Sequence, residues 1–266
     1  MQRLYPDPAS GLAPTTIYDD LRATLPPPPP HRPYLMLNMV SSVDGKTVVG
    51  GTVSALGSDV DHALMRALRA ASDAVLNGAG TVRAERVSSQ VDDARAAARA
   101  AAGLPAQPLA VVVTRSGDLP LDRRYFHDEA MARVIVAGAA AAEDPERRAA
   151  LEASARLLVA RTPDPDLGWA LRVLREEHGV GYLLCEGGPH LNGELFRHGL
   201  VDEVFWTVAP KIVGGGEDLT LVEGPPLDGL PRLALVTAYL HEHELFLRYR
   251  AMSDERRATS GVASDE

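Results

Sequence analysis

The chain has little cysteine, no long apolar run and no clustered positive charge. Its 266 residues include one cysteine, Cys185, which excludes an internal disulfide and a cysteine-rich zinc site. No apolar run approaches the ~20 residues that a membrane-spanning helix requires. Residues 1–8 also lack the apolar stretch of a secretory signal, so we expect a cytoplasmic protein with no membrane partner.

The charge balance excludes another class of partner. The formal net charge is −9, and no segment is dense in lysine or arginine. Nucleic acid is bound by basic surfaces, so we do not expect it as a partner. A phosphorylated small molecule stays compatible, because it requires only a few local donors. Hydrophobic residues make up 45% of the chain, which is enough for a core, and the length suits one large α/β domain or two small ones.

Two features that resemble a nucleophile and a metal site have simpler interpretations. Cys185 ends an apolar run beside Glu186, and a carboxylate there disfavours the thiolate, so we interpret the cysteine as a small buried hydrophobic residue. His241 and His243 would share one face of a strand, but no third ligand is evident. We predict a surface hairpin turn there and no metal.

Two short glycine motifs each follow a strand-like apolar run. The first is Asn-Gly-Ala-Gly-Thr at residues 77–81, and the second is Glu-Gly-Gly-Pro at residues 186–189. Glycine lets backbone N–H groups approach a ligand with no Cβ in the way, and a helix that starts after such a turn offers further N–H groups to a phosphate. Two such turns at the carboxyl ends of parallel strands predict a nucleotide crevice.

Between a proline-rich start and a polar end, the chain alternates strand and helix patterns. We predict a proline-rich N-terminal arm over residues 1–32, one domain over 33–252 and a flexible tail over 253–266. Strands are predicted at 34–40, 74–76, 109–114, 133–136, 157–159, 181–185, 203–209, 233–240 and 244–249, and helices at 59–71, 92–102, 166–177 and 191–198. The fold class is therefore α/β, with a mostly parallel central sheet, helices on both faces and an antiparallel C-terminal edge pair.

Seven short segments match, in order, those of one known family. They are Arg-Pro-Tyr at 32–34, Ser-Val-Asp-Gly-Lys at 42–46, Leu-Arg-Ala at 68–70 with Asp-Ala at 73–74, Gly-Ala-Gly-Thr-Val at 78–82, Glu-Gly-Gly-Pro at 186–189, Leu-Val-Asp-Glu at 200–203, and Ala-Pro-Lys at 209–211 with Gly-Gly-Gly at 214–216. On these segments the chain resembles the bacterial deaminase-reductase C-terminal domain family, the pyrimidine reductase of riboflavin synthesis, whose fold is dihydrofolate-reductase-like. The resemblance implies an NADPH-dependent oxidoreductase and a homodimer, whose interface we expect near residues 203–210. With one cysteine, no zinc deaminase site is expected in this chain.

The resemblance also implies roles for individual residues. The residues implied to bind NADPH are Val40, Gly78, Gly80, Thr81, Glu85, Gly187, Gly188 and Pro189. Those implied to bind the substrate are Asp44, Ser54, Arg69 and Arg86. Lys46 and Glu186 are the implied catalytic groups: Lys46 would hydrogen-bond the sugar hydroxyls, and Glu186 would accept hydrogen bonds from the pyrimidine N–H groups.

The chain departs from the family pattern at residues 83–89. The family continues its glycine turn with Asp-Asn-Pro or Asp-Asp-Pro and then Leu-Thr-x-Arg, whereas this chain reads Arg-Ala-Glu-Arg-Val-Ser-Ser. Glu85 can replace the aspartate, but the arginine that would hold the phosphate of the substrate has no clear counterpart. Arg86, Arg95 and Arg99 are the nearest candidates, and the last two would share a face of the predicted helix.

Three functions are compatible with these patterns. In the first, hydride from NADPH reaches C1′ of a ribosylaminopyrimidine 5′-phosphate after its sugar has opened to an imine. In the second, the altered segment 83–107 accepts a pterin such as dihydrofolate on the same fold. In the third, the chain binds a nucleotide without turnover. Lys46 and Glu186 beside the glycine turns favour turnover, because a protein that only binds does not require polar groups at the reacting end.

Overall fold

The computed structural model describes residues 1–50, 55–84, 88–215, 219–227 and 229–252. Within them, ten strands form one sheet: β1 (Gln2–Tyr5), β2 (Tyr34–Ser41), β3 (Ala74–Gly78), β4 (Leu109–Thr114), β5 (Arg133–Ala137), β6 (Arg156–Val159), β7 (Tyr182–Cys185), β8 (Glu203–Val208), β9 (Leu233–His241) and β10 (Glu244–Ala251). Helices lie at α1 (Leu21–Thr24), α2 (Asp59–Ala71), α3 (Ala79–Ala84), α4 (Asp93–Ala101), α5 (Arg124–His127), α6 (Pro145–Ser154), α7 (Leu167–Glu176) and α8 (Pro189–Arg197). The strand order is β1-β9-β10-β8-β2-β7-β3-β4-β5-β6.

Seven neighbouring strands, from β8 to β6 in this order, are parallel. Their sequences are short apolar runs with little alternation, such as Leu-Ala-Val-Val-Val-Thr in β4, as strands covered on both faces require. The structure confirms the mostly parallel sheet that the sequence predicts.

Helices cover both faces of this sheet. On one face, Leu64 and Leu68 of α2 join a core cluster with residues of β2, β7 and β8. On the other face, Leu171 and Leu174 of α7 join a second cluster with residues of β2, β3 and β7. Asp166 caps the start of α7, since its carboxylate accepts a hydrogen bond from the Trp169 N–H at 2.8 Å.

The C-terminal strands are antiparallel, as predicted: β10 pairs with β9 on one side and with β8 on the other. The turn between β9 and β10 places Glu242 at a positive φ of 53°. Unexpectedly, β1 pairs antiparallel with β9 and lies outside it. An edge strand exposes unpaired N–H and C=O groups, and β1 satisfies those of β9. The predicted N-terminal arm therefore includes a strand of the sheet.

Candidate active site

The two glycine motifs lie side by side. The first follows β3 and the second follows β7, and these are neighbouring parallel strands. The backbone N–H of Gly78 donates to the carbonyl of Gly187 at 2.7 Å. A Cβ at Gly188 would lie 2.8 Å from Thr81 Oγ1, so this close approach requires glycine. The structure confirms that both turns lie at the carboxyl ends of neighbouring parallel strands.

A cavity of ≈ 470 Å³ opens beside these turns, between α2 and the ends of β2, β3 and β7. Its volume falls within the usual range for a small-molecule site. It is lined by Asn38, Met39, Val40, Thr47, Val48, Gly57, Asp61, His62, Met65, Arg69, Asn77, Gly80, Thr81, Ala84, Ser88, Glu186, Gly188, Pro189, His190 and Leu219. Half of the residues implied by the resemblance therefore line this one cavity: Val40, Arg69, Gly80, Thr81, Glu186, Gly188 and Pro189.

Arg69 and Glu186 form a buried ion pair in this cavity. Arg69 Nε donates to Glu186 Oε1 at 2.6 Å, and Nη2 donates to Oε2 at 2.8 Å. Each side chain is 9% exposed. Arg69 Nη1 also donates to the carbonyl of Gln90 at 3.2 Å. Each Glu186 oxygen accepts one of these bonds, and a carboxylate oxygen has a second lone pair for a further donor.

A carboxamide that the sequence analysis missed also lines this cavity. Asn77, near the end of β3, is 1% exposed, and its Nδ2 donates to Ser89 Oγ at 3.4 Å. Ser89 in turn hydrogen-bonds Tyr125 Oη, and burial raises the pKa of that phenol to about 12. Asn77 Oδ1 is buried with no hydrogen-bond partner among the described residues. The sequence signal that could have identified Asn77 was its position as a polar residue within an otherwise apolar strand.

Asp44 lies outside the residues that line the cavity. Its carboxylate accepts hydrogen bonds from Ser42 Oγ at 2.6 Å and from the N–H groups of Val213 and Gly214 at 3.1 and 2.8 Å. These bonds, the one from Ser42 foremost, lower the pKa of Asp44 to about 2. In this structure Asp44 fastens the turn at residues 42–46 to the segment that follows β8.

Lys46 is carried by that turn. Its backbone N–H donates to Ser42 Oγ at 2.9 Å. Hydrogen bonds from Thr220 are the main reason why the pKa of Glu223 is lowered, and the charges of His190 and Lys46 contribute further. Lys46 itself is not among the residues that line the cavity, whereas the next residue, Thr47, is.

Two of the arginines considered for the phosphate of the substrate are used by the fold instead. Arg99 is 3% exposed and donates to the carbonyls of Ala70, Ser72 and Pro105, so it closes the end of α2. Arg95 Nη1 donates to the Asp92 carboxylate at 2.6 Å. The hypothesis that Arg95 and Arg99 converge on one phosphate is therefore wrong.

Three of the implied residues, Ser54, Glu85 and Arg86, lie outside the described residues, so their roles stay predictions. The remaining two residues that the resemblance implies for the cofactor, Gly78 and Gly187, form the contact between the glycine turns described above.

The α2 helix also contributes a carboxyl group that the sequence analysis missed. Asp61, Met65 and Arg69 are four residues apart and line the cavity from one helix face. Asp61 is 8% exposed, and burial raises its pKa. The signal that could have found it was its spacing of two steps of four residues from Arg69, which places both on one helix face.

Among the described residues, no three His, Cys, Asp or Glu side chains are grouped so as to hold a metal ion. The described helices include none with the length and apolar character needed to cross a membrane.

Comparison with known proteins gives one family match. The model of a family described as the RibD C-terminal domain matches residues 33–245. A 2,5-diamino-6-ribosylamino-4(3H)-pyrimidinone 5′-phosphate reductase from Methanothermobacter thermautotrophicus is 35% identical over 82% of this chain and 98% of its own length. A reductase of the same name from Archaeoglobus fulgidus is 32% identical over 73% of this chain and 87% of its length.

Among solved structures, a pyrimidine reductase-like protein from Corynebacterium diphtheriae superposes with a TM-score of 0.77. The match covers 89% of this chain and 99% of that protein, at 20% sequence identity. At this identity the likeness concerns the fold.

Proposed function

The chain belongs to the RibD C-terminal domain family, and we propose on this premise that it is a riboflavin-pathway reductase acting on a ribosylaminopyrimidine 5′-phosphate. The observation that carries the proposal is the buried Arg69–Glu186 pair, which faces a cavity beside two joined glycine turns. The archaeal relatives named above are reductases of such a compound.

The glycine turns fit the phosphates of a dinucleotide. A Cβ at Gly80 would meet nothing within 4 Å, so the space beside this residue is open. The first turn of α8 has Gly188 as its N-cap, without a side chain to cap it, so its N–H groups are available to an anion. We propose NADPH as the cofactor, held also by Val40 and Thr81, which line the same cavity. When bound, NADPH would supply a hydride from its nicotinamide.

The pyrimidine would be held by Glu186. The two hydrogen bonds from Arg69 fix the plane of this carboxylate, and its remaining lone pairs would accept ring N–H groups of the substrate. Asn77 also lines this cavity, and its Oδ1 has no hydrogen-bond partner among the described residues, so it could accept a further hydrogen bond from the substrate. This set of acceptors suits an amino-substituted pyrimidine.

The sugar and phosphate would lie toward the turn at residues 42–46. Lys46 would hydrogen-bond the sugar hydroxyls and help the proton move as the ring opens. Asp44 would act by holding that turn in place. Since Arg95 and Arg99 are used by the fold, we propose Arg86 for the phosphate. We also propose Ser54 as a contact of the substrate and Glu85 as a contact of the cofactor.

The test is a substrate panel followed by loss of the NADPH absorbance. It contains the diaminopyrimidinone and aminouracil ribosylamino 5′-phosphates, their dephosphorylated nucleosides and dihydrofolate. We expect turnover of a pyrimidine phosphate and much slower turnover of its nucleoside. Turnover of dihydrofolate instead would support the pterin alternative, and no turnover of any compound would support a nucleotide-binding protein.

We also propose a cytoplasmic homodimer. The strand β8 lies between β10 and β2, so its edges are already paired and only a face of the sheet can serve as the interface near residues 203–210. Trp206 and Val208 lie opposite Leu247 and Leu245 on one such face, and all four are half-buried. Burying this face against a second copy would remove their apolar surface from water.

A further inference from the structure

The carboxyl group of Asp61 has no role in the function proposed above, yet it is built into the same cavity. Asp61 lies in the first turn of α2 and lines the cavity at 8% exposure. Its position is eight residues before Arg69, which corresponds to about 12 Å along the helix axis. A pyrimidine on Glu186 would therefore extend its sugar toward Asp61.

The surroundings of Asp61 favour an uncharged carboxyl. Thr207 of β8 hydrogen-bonds its side chain, and among the described residues no lysine or arginine pairs with it. His62, its neighbour on α2, acts to lower the pKa of Asp61, as does the hydrogen bond from Thr207. Burial outweighs both partners and raises the pKa of Asp61.

Two other acidic groups lie close to Asp61. Glu244 of β10 is 6% exposed and accepts a hydrogen bond from Ser58 Oγ at 2.5 Å, while Asp61 N–H donates to the same Ser58 Oγ at 3.1 Å. Burial, with a contribution from Asp61, raises the pKa of Glu244. Tyr18 of the N-terminal segment also faces Asp61 and is fully neutral near pH 7, since burial raises its pKa. Two neighbouring buried carboxyls disfavour each other's ionisation.

We propose that Asp61 is the proton donor to the substrate during reduction. This proposal rests on the reductase function proposed above. The imine nitrogen takes the proton of the Asp61 carboxyl, while the imine carbon C1′ takes a hydride from the reduced nicotinamide nucleotide. The C=N π bond is replaced by new N–H and C–H bonds, the imine is reduced, and the nucleotide is oxidised. The Asp61 carboxylate then regains a proton from solvent.

The experiment compares Asp61→Asn with Asp59→Asn. Asp59 is an exposed residue in the same first turn and does not line the cavity, so its variant makes the same carboxyl-to-amide change away from the site. In single-turnover reduction of the pyrimidine phosphate, we expect Asp61→Asn to lose ~10²–10⁴-fold in rate and Asp59→Asn to keep the wild-type rate. The wild-type rate should fall as pH rises through the pKa of Asp61, and Asp61→Asn should lose this decline.

A second readout does not depend on turnover. Because the folded-state pKa of Asp61 is raised, its contribution to stability is present below the unfolded-state pKa and is lost as pH rises through the folded-state pKa. The unfolding free energy of the wild type should therefore fall relative to that of Asp61→Asn as pH rises, and then stay at a constant difference. Carbon-13 NMR of labelled aspartate should show one carboxyl, absent in Asp61→Asn, that titrates above the ordinary range.

The outcomes separate the two proposals. If wild type and Asp59→Asn are active and Asp61→Asn is equally fast with the same pH decline, Asp61 is not the proton donor. A labelled carboxyl of Asp61 that titrates in the ordinary range overturns it as well. If neither wild type nor Asp59→Asn reduces a pyrimidine phosphate, the proposed function fails and the role of Asp61 fails with it.

Discussion

Among single residues, Arg69 and Glu186 connect the stability of the fold to the proposed chemistry. Two side chains that are each 9% exposed carry opposite charges, and neither charge is favourable at that depth without the other. A substitution at either position therefore affects both folding and substrate binding. Measurements at this pair need separate readouts for stability, cofactor affinity and turnover.

Glu186→Gln keeps the size and one acceptor but removes the charge. A hydrogen bond to a charged group contributes ~1.5–3 kcal/mol, so we expect a roughly ten- to hundredfold loss in kcat/KM and an NADPH Kd that is nearly unchanged. Steady-state kinetics and calorimetric titration check this. The control is Glu129→Gln, at an exposed position, which should match wild type. Normal turnover in Glu186→Gln would remove Glu186 from the site.

Gly80→Val should weaken NADPH binding without unfolding the protein. A Cβ at this position meets no atom of the protein within 4 Å, so the added methyl groups would occupy cavity space rather than strain the fold. Gly80→Ala should weaken binding less, since it adds less volume. Calorimetric Kd values and melting temperatures separate the two effects, and unchanged affinity in both variants would exclude the turn from the cofactor site.

The sequence predicts part of this site and omits another part for a physical reason. The glycine turns and Glu186 follow strands, and the ends of parallel strands meet at one edge, so their proximity can be derived from the pattern. Asp61 and Asn77 could not be placed in the same way. Their positions depend on which face of α2 meets the sheet and on which strand lies beside β3, and neither is a local property of the sequence.

Among the elements, β8 and β10 are joined by a buried charge cluster. Glu203, at the start of β8, is fully buried and accepts hydrogen bonds from Arg248 at 2.9 and 3.0 Å and from Arg250 at 3.0 and 2.7 Å. Both arginines belong to β10, so this carboxylate fixes the register between the parallel part of the sheet and the antiparallel part.

Glu203→Ala should lower the unfolding free energy by ~3–5 kcal/mol, because two guanidinium groups lose their shared anion. The double variant Glu203→Leu/Arg248→Met should lose less than the single variant, since it removes a buried charge together with its partner. Urea unfolding measures both. If the double variant is less stable than the single variant, Arg248 stabilises the fold even without the Glu203 carboxylate, and the prediction is wrong.

The helix and strand boundaries show what local patterns can supply. The predicted helix at 59–71 and the predicted strand at 109–114 match α2 and β4 to the residue. Both have strong periodicity or β-branched composition together with clear ends. The missed strand β1 has four residues and gains its hydrogen bonds from β9, more than two hundred positions away. Such an edge strand is specified by its partner rather than by its own sequence.

For the whole molecule, the expected fold class is confirmed: a dihydrofolate-reductase-like α/β fold with one mixed sheet. The alternation of strands and helices predicts parallel pairing, but it does not predict the order of the strands. The chain places β7 between β2 and β3, and this insertion is what brings the second glycine turn against the first. The crevice is thus a property of the sheet order.

Leu247→Asp should convert the proposed homodimer into a monomer. Leu247 lies opposite Trp206 on the half-buried face of the sheet, and a carboxylate there would resist burial against a second copy. Light scattering coupled to size-exclusion chromatography gives the mass directly, and Ala149→Asp, at an exposed position on α6, serves as the charge-matched control. A wild type that is already monomeric would exclude the homodimer.

The single thiol of the chain allows the transient exposure of β7, the strand that ends at the candidate site, to be measured. Cys185 ends β7 directly before Glu186, is fully buried, and has a pKa raised to about 12 by that burial. A thiol reagent reacts with the thiolate, so modification requires β7 to become exposed. The rate of modification then reports the fraction of molecules in which β7 is exposed to the reagent. A ligand that binds only the closed form should slow the reaction in proportion to its saturation, so unlabelled NADPH and candidate substrates can be ranked without any turnover.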